Sequence, residues 1–170
     1  MIQVINQGVH TGTVARGVFH VSKRGEKADT SKNLVVVEGL NYLLGAALAN
    51  QSSIGTWYVA LFSDNVTPTS SWTASNFAST ANEFTNYEAS SRPQWSPGSV
   101  ASGALNSFSD KASFEASVNG AQVRGAAIIS NSTKGGTSGI LLAATRFPST
   151  KTLDEGEILD VGYGFELLPE

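Results

Sequence analysis

Residues 112–130 read A-S-F-E-A-S-V-N-G-A-Q-V-R-G-A-A-I-I-S, and the fold class turns on them. From Ala112 to Val118 apolar and polar residues alternate, the period of a strand with one face in a core. Asn119-Gly120 is the two-residue signal of a type I′ turn, because both residues tolerate positive φ. A β-hairpin is therefore expected, with Ala121–Ser130 as its second strand.

Strand patterns continue on both sides of it. Lys134-Gly135-Gly136 reads as a glycine loop leading to a strand over Gly139–Thr145, and a last strand is expected near Ile158–Leu167. Upstream, Thr56–Phe62 (T-W-Y-V-A-L-F) is apolar on both faces, as in a central buried strand. Ala104–Phe108 and Asn33–Val37 read as short strands, and Glu83–Trp95 includes a polar strand ending at Pro93. Thr13–Val21 reads as a strand bent or bulged at Gly17. Roughly nine short strands separated by turn signals predict a mainly β, antiparallel sandwich or barrel.

One helix is expected over 38–50, where Leu40, Leu43, Leu44, Ala47 and Leu48 recur at helical spacing. That stripe predicts a short helix plugging an end or face of a sheet. Glu38 suits its start and Asn50 its stop. The Ser/Thr/Asn-rich stretch 63–82 is too long for an ordinary loop, so it is either functional or holds a short helix near 73–79. No internal repeat or linker divides the chain. The expected organisation is an N-terminal strand and basic arm over 1–32 and one β-sandwich domain over 33–170.

Composition supports this class. The chain has 170 residues, 41% of them apolar, enough for a substantial core. Charged residues make up 15%, against roughly 25% in an average soluble domain. Hydroxyls replace them, with 22 Ser and 14 Thr. Such a surface has few flexible charged side chains to immobilise on assembly. The net charge of −3 argues against nucleic acid and anionic membrane as partners. It divides into +3 over 1–32, −1 over 33–150 and −5 over 151–170, a basic head and an acidic tail on a near-neutral body. The chain has no cysteine, which removes disulfides and thiolate chemistry. The start Met-Ile-Gln-Val-Ile-Asn lacks the pattern of a signal peptide, which predicts no export by that route.

No catalytic constellation emerges. His10 and His20 are the two histidines, and His20 reads as a half-buried packing residue between Phe19 and Val21. Glu83 and Glu88, near Trp95, could act as paired carboxylates on a glycan, but surface carboxylates are the ordinary reading. Asp154, Glu155 and Glu157 lack the spacing of a calcium loop and read as a solvated acidic turn. Lys134 in N-S-T-K-G-G has the wrong order for a phosphate loop. Trp57 reads as core. Trp72 and Trp95 fall in polar segments, where an exposed indole could stack on a sugar or anchor a protein contact. The expectation is a non-enzymatic protein with no cofactor and no metal.

The string N-L-V-V-V-E-G-L-N-Y-L-L-G-A-A-L at 33–48 resembles a segment common in small virion proteins of tailed bacteriophages. So do T-W-Y-V-A-L-F at 56–62, N-Y-E-A-S-S-R-P-Q-W at 86–95 and G-A-A-I-I-S-N-S-T-K-G-G at 125–136. The resemblance implies a capsid cement or decoration protein, a jelly-roll-like sandwich forming dimers or trimers on the outer shell. The implied partners are the major capsid protein and further copies of the chain as homodimer or homotrimer, with no nucleic acid and no membrane. The implied location is the outer capsid surface, after synthesis in the host cytoplasm. Contact residues would be Arg16, Lys23, Arg24 and Lys27 of the head, lying on an acidic neighbour, either the 154–166 tail of an adjacent copy with Asp154, Glu155 and Glu157 or the major capsid protein. A tail-associated glycan receptor binder using Trp72, Trp95 and the 63–82 loop is the alternative.

Overall fold

The computed structural model describes residues 12–169, which form two antiparallel sheets and two helices. The Met-Ile-Gln-Val-Ile-Asn start, His10 and Glu170 lie outside the described residues. The first sheet holds β1 (Thr13–Lys23), β2 (Asp29–Lys32), β7 (Ala104–Asn106), β8 (Ala112–Glu115) and β11 (Ile158–Pro169). Its order is β2-β1-β11-β7, with β8 pairing the other half of the same β11 edge. The second holds β3 (Leu34–Val35), β4 (Trp57–Phe62), β5 (Glu83–Phe84), β6 (Gln94–Trp95), β9 (Ala121–Ile129) and β10 (Leu141–Leu153). Its order is β3-β10-β9-β4-β5, with β6 also on β4. The helices are α1 (Val37–Leu48) and α2 (Ala74–Ala81).

The two sheets face each other across one core, the β-sandwich expected from the strand pattern. Phe19, Val21, Phe114, Val161 and Tyr163 of the first sheet meet Val59, Leu61, Val123, Ile128 and Leu153 of the second, all essentially inaccessible to solvent. A second core lies on the opposite face of the second sheet. Ala60, Phe62, Ala127, Ile129 and Ala144 are covered there by Trp72 and by Phe77 and Ala81 of α2. That third layer explains why 56–62 is apolar on both faces. The short helix is the one allowed for near 73–79; Thr73 accepts from the Asn76 N–H while Asn76 accepts from the Thr73 N–H, a reciprocal cap.

Two expectations are corrected. β1, the strand expected from Thr13, pairs with β11 over its whole length, from Thr13 opposite Pro169 to Lys23 opposite Leu159. That ladder is unbroken, so Gly17 marks no bulge. A Cβ there would lie 2.5 Å from the Tyr163 hydroxyl, so the glycine makes room for a buried tyrosine. Asn119-Gly120 joins strands of different sheets, since β8 pairs β11 whereas β9 pairs β4 and β10. Only Gly120 of the two has positive φ, and a type I′ turn needs both. The turn is held from outside, by Gly120 N–H donating to Asp154 (3.0 Å) and Asn119 accepting from Glu155 N–H (3.1 Å).

Glu83–Trp95 likewise forms no continuous strand. Its two ends pair with β4 as β5 and β6, and the chain between departs from the sheet so that Arg92 can turn inward.

Candidate functional site

The residues expected to meet a partner divide into those consumed by the fold and those left open. Trp72 is 4% exposed, packed edge-on against Phe62 and Phe77. Trp95 is 6% exposed, and its indole N–H donates to the Tyr163 carbonyl at 3.1 Å. Neither offers a face to a sugar or a partner, because Trp95 fills the core between the sheets and Trp72 covers the outer face of the second sheet. This corrects their expected role as contact residues.

The basic head and acidic tail meet within one chain. Because β1 and β11 run antiparallel, the basic end of one lies beside the acidic start of the other. Lys23 pairs with Glu157 at 2.6 Å and Arg24 with Asp160 at 2.7 Å, with Ser113 also bonded to Asp160. Asp154 and Glu155 are engaged by the Asn119-Gly120 turn, as described above. Lys23, Arg24, Asp154 and Glu157 thus already have partners within their own chain. Arg16 faces Glu166 across the ladder, and Lys27 lies exposed in the turn before β2.

These pairs set a pH dependence. Hydrogen bonds from Lys151 and then Ser149 hold the Asp29 carboxyl below its usual range, and the bond from Lys23 does the same for Glu157. Burial pushes Asp160 up, but bonds from Arg24 and Ser113 and the charges of Arg24 and Lys111 outweigh it and leave it lowered. Each group binds its proton more weakly folded than unfolded. Their contribution is therefore complete above about pH 4–5, the unfolded carboxylate range, and is lost as pH falls through the lower folded values. Melting followed by circular dichroism should show a temperature that falls below that range, and Asp160→Asn should flatten the fall.

Other polar constellations also serve the fold. Arg92 and Glu83 form a fully buried bidentate pair, at 2.8 and 2.6 Å, with side chains 0% and 2% exposed. Glu83 is thereby closed to a substrate, while Glu88 remains exposed. Lys134 donates to the Thr85 and Tyr87 carbonyls and lies 3.9 Å from the centre of the Tyr87 ring, pinning two loops together. His20 stacks flat on Phe108, ring centres 3.9 Å apart; burial and then the charge of Lys111 hold its imidazole below the ordinary value. No group of three or more His, Cys, Asp or Glu among the described residues is placed to hold a metal ion. A groove of about 690 Å³ crosses β1 and β11, between Arg16, Lys32, Phe108 and Glu166.

Among the described residues, five of the eight exposed large apolar side chains lie on or just before one helix. The leucine stripe was expected to plug a sheet; α1 buries Gly39 and Tyr42, and of the stripe's leucines Leu43 alone packs, half-buried, against the core. Gly39 rests on the backbone of Leu142; Tyr42 packs edge-on against Trp57 and accepts the Ile54 N–H. The carboxylate of Glu38 reaches away from its own helix to the N–H groups of Ala74 (2.8 Å) and Leu141 (2.6 Å), tying α1 to α2 and β10. These three anchors choose which side faces in. Val37, Leu40, Leu44 and Leu48 are left 49%, 37%, 59% and 81% exposed, and Leu34 stands just before them. Periodicity identified the stripe, but the glycine and tyrosine on the other side decided its orientation. No helix among the described residues is long and apolar enough to cross a membrane.

Comparison with protein-family models and with curated proteins found no match for the chain.

Proposed function

We infer that this chain is a structural virion protein of a tailed bacteriophage, binding the outside of the capsid and cementing or decorating the shell. The observation that supports this best is the open leucine face of α1, on a fold that spends Trp72, Trp95 and Arg92 on its own packing. A contiguous apolar patch on an anchored helix is a protein-contact surface. The strings that resemble virion proteins add to this reading, since the first of them, 33–48, contains α1. The low charge and abundant hydroxyls suit dense, repeated packing. A jelly-roll-like winding of the sandwich belongs to the same proposal. The partners are the major capsid protein and further copies of the chain; the role is non-catalytic and calls for no cofactor, nucleic acid or membrane.

The test is sedimentation with shells. Purified chain mixed with phage capsids lacking it should co-sediment saturably and raise the temperature at which the shells release their contents. Failure to co-sediment, with binding instead to host-surface saccharide, would overturn the capsid reading in favour of the tail receptor alternative.

A further inference from the structure

We propose that the open face of α1 is covered by the same face of a second copy, the two helices crossing antiparallel about a two-fold axis near Leu44. This rests on the assembly role proposed above and names the partner of that surface.

The first ground is shape. Leu40, Leu44 and Leu48 are spaced four apart and form a raised row along the helix. The next four-spaced row is Asn41, Gly45 and Ala49, all smaller, so it forms a furrow beside the ridge. A helix carrying both ridge and furrow is complementary to itself, and interdigitated four-spaced rows are the commonest helix packing. A two-fold axis at Leu44 sets Leu40 against Leu48 of the partner subunit, and the antiparallel arrangement opposes the two helix dipoles. The flexible side chain of Gln51, which reaches over Gly45, must swing aside.

The second ground is charge. No Lys or Arg occurs from Asn33 to Ser91, and no Asp or Glu from Gly39 to Ser63. An isologous contact brings residues near the two-fold axis close to their own equivalents, where a charge would meet a like charge; the residues of α1 from Gly39 to Leu48 carry none. The same absence disfavours a lipid surface, since interfacial helices carry Lys and Arg on the polar face beside the apolar one. It equally gives a charged protein nothing to pair with.

The third ground is size. Twelve residues of helix span about 18 Å, and packing two such lengths buries on the order of 1,000 Å² in total, at the lower edge for specific association. The pair is therefore weak in dilute solution and becomes effective when copies are held side by side on a common support.

Because the chain has no cysteine, single-cysteine variants report the contact directly. Leu40→Cys, Leu44→Cys and Leu48→Cys would be oxidised separately and in mixtures, with exposed Val118→Cys as the collisional control. Leu44→Cys should crosslink to itself at least about tenfold faster than the control, and Leu40→Cys mixed with Leu48→Cys faster than either alone. Sedimentation of the unmodified chain should show a dimer growing with concentration, which Leu44→Asp abolishes without lowering the melting temperature. A unmodified chain that stays monomeric at every concentration, or Leu44→Cys crosslinking no faster than Val118→Cys, overturns the pairing. Shell binding with no Leu44→Cys crosslink refutes the pairing alone; crosslinking without shell binding refutes the virion reading alone.

Discussion

Replacing Arg92 with methionine is expected to cost about 3–5 kcal/mol of folding stability, the range for breaking a buried ion pair from one side. Methionine fills most of the volume, so the loss is electrostatic. The Glu83 carboxylate, 2% exposed, would be left charged with only the Gly135 N–H at 3.1 Å beside it. The Asn131 and Gly136 carbonyls, which accept from Arg92 at 2.8 and 3.1 Å, would lose their donor as well. For a domain of this length the melting temperature should fall by about 10–15 °C. Adding Glu83→Gln should recover part of that, because the stranded charge goes, but not all, because the carbonyls stay unpaired. Thermal melts of the two single variants and the double variant give the coupling; additive losses would contradict it.

Gly39→Ala is expected to destabilise, against the direction of helix propensity. Propensity alone favours alanine by about 1 kcal/mol. A Cβ at Gly39, however, would lie 2.4 Å from the Leu142 carbonyl oxygen and 2.8 Å from its Cα, and both atoms belong to the backbone of β10. The helix must lift away, disturbing the Glu38 bonds to Ala74 and Leu141 and the Tyr42–Trp57 contact. Overpacking of this kind costs about 1–3 kcal/mol, leaving a net loss. Gly45→Ala is the control. Its Cβ would meet only the end of the Gln51 side chain, which can move, so that change should leave stability unaltered or slightly raised. Chemical denaturation of both variants reads the difference in sign, and a stabilised Gly39→Ala would show that α1 is not seated on β10 as described.

The β class was legible because period-two alternation is a local signal, and most strands lie where 112–118, 56–62, 139–145 and 158–167 place them. Pairing was not legible. Asn119-Gly120 carries a hairpin signal, yet the partners of its flanking strands are β11, β4 and β10, and only long-range packing selects them. The basic head and acidic tail were visible as sums, but their meeting within one chain depends on the β1–β11 register. Trp72 and Trp95 sit among polar neighbours in sequence while their rings fill gaps on opposite faces of the second sheet, a fact no local window contains. The leucine stripe of α1 was read correctly as a stripe. Its direction was hidden because Gly39 and Tyr42 turn the helix so that only Leu43 of the stripe reaches the core: a residue without Cβ lets the helix touch the β10 backbone.

We propose that this chain is a shell component, and the number and position of its copies in a phage particle test that most directly. A reconstruction of the particle at modest resolution, with copy number measured against the major capsid protein, should show hundreds of copies on the outer capsid surface. A few dozen copies or fewer confined to the tail, or none in the particle, would contradict it.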